Sequence, residues 1–239
     1  MKIEIIKCLK DNYSYLIIDE TDLSACIVDP GEAKPVINFI EKNNINLKYI
    51  LNTHHHYDHV GGNLELKKKY KSNVTGFKGD KDRIPEVDTL VQDNQICKYG
   101  NFEFKILHVP GHTSGHIAYH FFNEKKIFTG DTLFSLGCGR IFEGTYKEMF
   151  SSLNKIKILP KDTEIYCGHE YTLQNLNFCV ANDKKNLKLK NKMLEINKRV
   201  QKNLPTIPSI LSDEIECNIF LKAKDVKSFS KLRDLKDNF

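Results

Sequence analysis

The chain has 239 residues, enough for one large domain or two smaller ones with a sizeable core. Its composition, 40% hydrophobic and 28% charged, is ordinary for a soluble globular protein, and no run approaches the ~20 apolar residues of a membrane span. The first residues alternate like a strand and lack the apolar core of a secretory signal. The seven cysteines are scattered without a C-x-x-C pair, which argues against a disulfide framework and favours a reducing cytoplasmic location.

Short β-rich runs alternate with helical patterns up to about residue 170. The predicted strands are Ile3–Cys8, Tyr15–Asp19, Ala25–Val28, Tyr49–Asn52, Phe102–Val109, Ile117–Phe122, Lys126–Thr129 and Glu164–Cys167. The predicted helices of this part are Pro35–Asn43, Asn63–Lys71 and Tyr146–Lys157. The pattern predicts an α/β domain over residues 1–170.

The last third of the chain is different. Helical spacing without strand signals predicts helices at Lys184–Asn203 and Ala223–Lys236, with Pro205–Pro208 as an extended linker between them. Residues 171–239 therefore form a second, mostly helical domain. This segment holds 14 Lys and Arg against 8 Asp and Glu, so it carries the whole positive excess of a chain whose net charge is +5. Such a charge can attract nucleic acid, a membrane surface or a small polyanion, although most of these lysines are expected on a solvated helix face.

The most informative motif is the run Thr-His-His-His-Tyr-Asp-His at residues 53–59, which contains four of the nine histidines. Imidazole and carboxylate groups are common metal ligands. An expression tag or a low-complexity tract does not explain the run, because it is internal, includes Asp58 and precedes Gly61-Gly62. The run predicts a metal site of a hydrolytic enzyme.

Three further loops deliver His or Asp directly after a predicted strand. They contain His112, Asp131 and His169. Loops at the carboxyl ends of strands build the active sites of layered α/β proteins, so we expect all four loops to meet. The candidate metal ligands are His54, His56, Asp58, His59, His112, Asp131 and His169.

Seven ligands can give each of two ions four donors if one ligand binds both ions. Alternate residues of an extended segment share a face, so His54 and His56 can reach one metal while Asp58 and His59 face a second. His112 would complete the first set and His169 the second, with the Asp131 carboxylate bridging both. A hydroxide shared between two ions about 3.5–4 Å apart would attack a polarised carbonyl.

The remaining histidines have weaker claims. His55 points away from the first metal by the alternation argument. His116 is expected to support a ligand or to be structural. His108 and His120 lie inside predicted strands, and both are interpreted as structural.

Several motifs together resemble the metallo-β-lactamase superfamily, and within it the hydroxyacylglutathione hydrolases, or glyoxalase II enzymes. They are Asp11-Asn12-Tyr13, the H-x-H-x-D-H run, Pro-Gly-His-Thr-Ser-Gly-His at 110–116, Thr-Gly-Asp-Thr-Leu-Phe at 129–134, Glu143-Gly144-Thr145, Cys-Gly-His-Glu-Tyr at 167–171 and Arg-x-x-Lys-Asp-x-Phe at 233–239. The resemblance implies an α+β fold, a four-layer αββα sandwich followed by a small helical domain. It implies hydrolysis of S-D-lactoylglutathione to D-lactate and glutathione in methylglyoxal detoxification, and it maps the family's metal ligands onto the seven candidates.

The resemblance also implies substrate contacts. Arg140, Phe142, Tyr171, Arg233 and Lys236 fall on positions that resemble the family's glutathione-binding residues. Arg and Lys can pair with the two carboxylates of glutathione. Phe142 stands where some members have a glutathione-contacting Tyr, which removes a hydrogen bond of about 0.5–1.5 kcal/mol.

In the implied mechanism Asp58 orients the hydroxide and accepts its proton, and Asp29 holds a ligand histidine. Two divalent ions are expected, zinc first, with iron or manganese as alternatives because no ligand is a thiolate. The expected partner is a small glutathione thioester, not a nucleic acid or a membrane, and the expected state is a monomer.

Other functions on this fold stay open at this point. They are a persulfide dioxygenase, a lactonase and an RNA-processing nuclease. The Arg233-x-x-Lys236 tail argues against the first, and no dedicated RNA-binding insertion is seen for the last. A basic, metal-stabilised nucleic-acid-binding module is the non-enzymatic alternative, but structural metal sites usually contain Cys.

Overall fold

The strands and helices described here are those of a computed structural model that covers residues 1–239. They form two compact units, residues 1–108 with 115–124 and residues 109–114 with 125–239. The strands of the first unit are β1 (Lys2–Cys8), β2 (Asn12–Ile18), β3 (Ser24–Val28), β4 (Asn46–Leu51), β5 (Asn73–Phe77), β6 (Thr89–Val91), β7 (Ile96–Tyr99), β8 (Phe102–His108) and β9 (Ile117–Phe121). Its helices are α1 (Ala33–Asn43), α2 (Tyr57–Val60) and α3 (Asn63–Tyr70), with a 3-10 turn at Lys78–Asp80.

A six-stranded sheet in the order β1 to β6 dominates the first unit. β1, β2 and β3 are antiparallel, and β3 to β6 run parallel. One face of this sheet is covered by α1, which buries Ala33, Val36 and Ile40 from a single stripe, and by α3, which buries Leu66. Both faces of β2 are buried, so side chains of either parity along it are inside.

The antiparallel strands β7, β8 and β9 pack against the other face of this sheet. Tyr99 stacks on Tyr49 with ring centroids 4.8 Å apart. The buried Tyr119 hydroxyl donates to the carbonyl of Asn52 at 2.9 Å. This contact fixes β9 beside the end of β4, where the histidine run begins.

The second unit contains β10 (Lys126–Gly130), β11 (Leu133–Phe134), β12 (Gly137–Cys138), β13 (Glu164–Cys167) and β14 (Ser209–Ile210). Its helices are α4 (Tyr146–Lys157), α5 (Thr172–Asn182), α6 (Leu187–Gln201), α7 (Leu211–Cys217) and α8 (Val226–Asp237). β13 pairs parallel with β10 and antiparallel with β14, and β11 and β12 form a hairpin. The aromatic rings of Phe178, Phe220 and Phe229 pack together between the helices.

The predicted α+β class and the helical C-terminal region are confirmed. All eight predicted strands are present, with ends shifted by up to three residues, and α4 has the predicted bounds. The predictions missed β5, β6, β7, β11, β12, β14, α2, α5 and α7. Pro205–Pro208 lies outside helix and strand, as predicted for a linker, and it is anchored, because Thr206 donates to Glu170 at 2.6 Å and Ile207 is buried. No helix combines the length and the apolar character that crossing a bilayer requires.

Candidate active site

The histidine run leaves β4 beside the end of β3. These strands are parallel, with Val28 opposite Leu51, so the next residues of each strand, Asp29 and Asn52-Thr53, lie at the same edge of the sheet. Asp29 is buried and has a left-handed backbone conformation, with φ at 49°. Its carboxylate accepts from the Thr53 backbone at 2.8 Å and from the Thr53 hydroxyl at 2.6 Å.

Asp29 also determines which nitrogens of two histidines carry protons. Its Oδ2 lies 2.9 Å from His59 Nδ1, which must therefore be the protonated nitrogen of a neutral ring. The Thr53 hydroxyl proton is used on Asp29, so Thr53 Oγ1 accepts from His54 Nδ1 at 3.0 Å. Both rings consequently present the lone pair of Nε2, which is the arrangement that a metal ligand needs. Asp29 thus holds a candidate ligand histidine, as predicted.

The two predicted ligand pairs of the first unit are adjacent. A ring nitrogen of His54 and one of His56 lie within 4.8 Å of each other. His59 Nε2 lies 3.5 Å from Asp58 Oδ2. The rings of His54 and His59 are 4.2 Å apart, so the pairs share one cluster.

Asn12 is a site residue that no sequence argument identified. Its amide donates to the Asp58 carboxylate at 2.9 Å and to the Asp58 carbonyl at 3.1 Å. It is buried at the start of β2, 46 residues before its partner. Only its place in the Asp11-Asn12-Tyr13 resemblance could have pointed to it.

The other histidines lie where the sequence placed them. His55 points to the buried Asp80 at 3.3 Å. His116 is buried and stacks on His54, with centroids 4.6 Å apart. His108 stacks on Phe77. His120 is buried in β9, and burial lowers its pKa.

Three candidate ligands meet in the second unit. β10 and β13 are parallel with Gly130 opposite Cys167, so Asp131 and His169 follow neighbouring strand ends. Asp131 Oδ2 lies 3.3 Å from His169 Nε2 and 3.5 Å from His112 Nε2. A single carboxylate oxygen therefore faces two imidazole nitrogens.

These donor atoms fit a cation. His112 Nδ1 lies 2.8 Å from the carbonyl of Arg140, so Nδ1 carries the proton and Nε2 presents a lone pair to the Asp131 carboxylate. His59 Nε2 faces Asp58 in the same way. Two acceptors at such distances repel each other unless a proton or a metal ion lies between them. Nitrogen and oxygen donors without thiolate suit divalent ions such as zinc, iron and manganese.

The loop after Arg140 supports His112. The backbone N–H groups of Phe142 and Glu143 donate to the His112 carbonyl, and the Glu143 carboxylate accepts from the Ser114 backbone at 2.8 Å. The exposed Phe142 ring meets the His112 ring edge-on at 5.1 Å. Glu143 appeared in the sequence only as part of a resemblance, without a role.

The predicted substrate residues form two groups within the second unit. Tyr171 stacks on His169, with centroids 4.7 Å apart and planes 4° from parallel. Arg140 Nε and Arg233 Nη2 both contact Asp237 Oδ1, at 3.2 and 2.9 Å. Arg140 is exposed, whereas Arg233 is 4% exposed and also donates to the Cys138 carbonyl at 2.7 Å.

Lys236 lies on the same helix, three residues after Arg233. Its ammonium lies over the rings of Phe178 and Phe239, at 5.3 and 5.5 Å. Burial, together with the charge of Arg233, lowers the pKa of Lys236. A negatively charged group placed here would be stabilised by both cations.

Two family models match this chain, one on each side of residue 170. Residues 10–169 match the metallo-β-lactamase superfamily, and residues 170–239 match the C-terminus of hydroxyacylglutathione hydrolase. The chain is 64% identical over its full length to the hydroxyacylglutathione hydrolase of Pelagibacter ubique (strain HTCC1062), covering all of that protein. It is 44% identical to that of Bradyrhizobium sp. (strain ORS 278), covering 97% of this chain and 91% of the relative.

Among solved structures, the BLEG-1 B3 metallo-β-lactamase superposes with a TM-score of 0.73 at 21% identity, covering 93% of this chain and 100% of that one. At this identity the likeness concerns the fold alone. It confirms the predicted metallo-β-lactamase fold.

Proposed function

The chain belongs to the hydroxyacylglutathione hydrolases of the metallo-β-lactamase superfamily, and on that premise we propose how its residues carry out the reaction. The enzyme hydrolyses hydroxyacylglutathione thioesters, and a role in methylglyoxal detoxification follows from the family. It binds divalent metal. The observation that supports the rest best is the Asp131 oxygen facing His112 and His169.

We propose that the seven ligands would hold two ions. His54, His56 and His112 would hold the first, Asp58, His59 and His169 would hold the second, and Asp131 would contribute to both. Zinc is the first choice, and iron or manganese are the alternatives. When bound, the ions supply Lewis acidity and lower the pKa of the attacking water.

Asp58 is assigned the proton transfer. Water adds to the thioester carbonyl carbon, the C–S bond breaks, and the electron pair leaves with the glutathione sulfur. The proton lost by the water passes to the Asp58 carboxylate and then to the thiolate. The amide of Asn12 donates to Asp58 Oδ2, the same oxygen that faces His59 Nε2, and so orients the carboxylate for this transfer.

Three basic residues, Arg140, Arg233 and Lys236, are assigned to substrate binding, and we call them the basic group. Arg140 and Arg233 contact Asp237, and Lys236 is next to it in sequence; we propose that the three cations attract the carboxylates of glutathione. Tyr171, stacked on His169, and Phe142, against His112, would then border the thioester end of the substrate.

We propose a division into a catalytic domain, residues 1–170, and a glutathione-binding domain, residues 171–239. The boundary between the two family matches at 169 and 170 supports it. We also propose a cytoplasmic location, which the seven free and buried thiols favour. A monomer acting on a small molecule, without nucleic acid or membrane, completes the proposal.

The test combines an assay with elemental analysis. The purified protein should hydrolyse S-D-lactoylglutathione and contain close to two zinc, iron or manganese ions per chain. The same acyl group on N-acetylcysteamine, which lacks the glutathione carboxylates, should react with a much higher KM. Equal KM values would contradict the assigned role of the basic group, and full activity with less than one metal per chain would contradict the binuclear site.

A further inference from the structure

The tip of the β11–β12 hairpin is held by side chains of α5, α7 and α8 and by Asn218, which directly follows α7. Each of residues 135–138 has a backbone group bound by one of them. The pairs are Ser135 O with Asn175, Leu136 N with Glu214, Leu136 O with Cys179, Gly137 O with Asn218, and Cys138 O with Arg233. We call these five side chains the hairpin cradle. All five are buried.

The arms of this hairpin connect two site residues. Asp131 lies two residues before it, and Arg140 lies two residues after it. The backbone of Gly139 donates to Thr132 at 3.1 Å, and a Cβ at position 139 would lie 1.8 Å from the Asp131 carbonyl. A displacement of the hairpin tip must therefore be transmitted to Asp131 and Arg140 together.

Glu214 is the only carboxylic acid of the cradle. It is 1% exposed, and its Oε2 accepts from the Leu136 backbone at 2.8 Å and from the Asn218 amide at 3.0 Å. Leu136 has a φ of 56°, a strained conformation for a leucine that this hydrogen bond helps to hold. A carboxyl buried so deeply is unfavourable unless it is hydrogen-bonded.

We propose that Glu214 is a positioning residue of the thioester reaction, which holds the hairpin so that Asp131 and Arg140 keep their places. The inference rests on the proposed function of those two residues. Because Asp131 belongs to the metal site and Arg140 to substrate binding, loss of Glu214 should lower kcat and raise KM at once. A residue that only stabilised the fold would change the melting temperature and leave both constants of the folded enzyme unchanged.

Three variants test the proposal on the metal-loaded enzyme with S-D-lactoylglutathione. Glu214→Leu removes the acceptor and should lower kcat/KM by about ten- to a hundredfold, because the buried Leu136 N–H loses its partner. Glu214→Asp withdraws the carboxylate by one methylene and should give a smaller loss of the same kind. Glu214→Gln keeps an oxygen that can accept from Leu136 and Asn218, so this variant should retain most of the wild-type activity.

The matched control is Glu216→Gln on the same helix, where the side chain is exposed and paired with Lys188. It should leave kcat and KM unchanged. Wild-type kcat and KM in Glu214→Asp would overturn the proposal, even if Glu214→Leu fails to fold. Metal content per folded chain is measured in parallel and should fall in the order of the activity. If the wild type itself does not cleave the thioester, the proposed function fails, while the metal content still tests the hairpin.

Discussion

Replacing Asp29 by Asn tests how the first unit prepares its histidines. The amide oxygen can keep the hydrogen bond to the Thr53 backbone, but the NH2 group then replaces Oδ2. In the wild type, Oδ2 accepts hydrogen bonds from His59 Nδ1 and from the Thr53 hydroxyl. A donor there forces His59 to give up its Nδ1 proton and to carry it on Nε2, towards Asp58. It also releases the Thr53 hydroxyl that fixes His54.

The size of the effect follows from the number of hydrogen bonds in which an acceptor is replaced by a donor. Two hydrogen bonds to a buried carboxylate are each worth about 1.5–3 kcal/mol. The substitution breaks these hydrogen bonds, but it also removes the cost of burying a carboxylate charge. Part of the loss in folding free energy is therefore offset in the metal-free protein. The larger effect should appear in the loaded state, where loss of such a supporting carboxylate costs about 10–100-fold in metal affinity.

The assay is competition for zinc between the metal-free protein and a chelator of known affinity. Asp82→Asn, at an exposed position of the same unit, is the matched control and should bind zinc like the wild type. Thr53→Val should weaken binding less than Asp29→Asn, since it interrupts only the branch that leads to His54. Wild-type zinc affinity in Asp29→Asn would refute the inference that this carboxylate fixes the ligand tautomers.

Three further outcomes are expected. Burial raises the pKa of Glu214 from its ordinary 4.5 to about 7. Between these two pH values the folded state holds a proton that the unfolded chain has lost. The free energy of unfolding should therefore fall by about 3 kcal/mol as the pH rises from 4.5 to 7. Urea unfolding of chelator-treated protein should show that Glu214→Gln lacks this part of the slope; parallel curves for the two proteins would show that Glu214 does not titrate there. Asp58→Ala should lower kcat by at least about a hundredfold and reduce the metal content, and an active variant with full metal would rule out the assigned proton transfer. Phe142→Tyr should lower the KM for the glutathione thioester by about two- to tenfold through one added hydrogen bond, and an unchanged KM would show that this position does not reach the substrate.

Local sequence patterns predicted the elements that carry their own signals. α4 has Met149, Leu153 and Ile156 buried on one face, and Thr145 and Glu148 form a capping box at its start, so its bounds follow from nearby residues. The strands before the site loops are equally clear, because each is an apolar run closed by Gly, Pro or Asn. The rule that active-site loops follow the carboxyl ends of strands then predicted which loops carry the candidate ligands.

The missed elements depend on contacts from elsewhere in the chain. α5 contains three asparagines and β-branched residues that are poor helix formers, and it is stabilised by burying Leu176, Phe178 and Cys179. β6 and β14 have three and two residues, too short for any periodicity to appear. Asn12 was missed because its role depends on a distant contact: nothing near it in the sequence shows that it faces Asp58.

The basic tail divides into two kinds of charge. Lys188, Lys192 and Lys222 form ion pairs with Glu216, Asp213 and Asp183 on the helix surfaces, where such pairs contribute little. Arg233 and Lys236 differ, because they lie against aromatic rings and share the neighbourhood of a single carboxylate, Asp237.

This difference has a consequence for substrate binding. Arg140 and Arg233 already share Asp237, so a glutathione carboxylate that binds them must approach beside it or displace it. Removing this internal anion with Asp237→Asn should therefore leave both guanidinium groups to the substrate and tighten glutathione binding. If Asp237 serves instead to orient them, the same change should weaken binding, so the direction of the KM shift decides between competition and orientation.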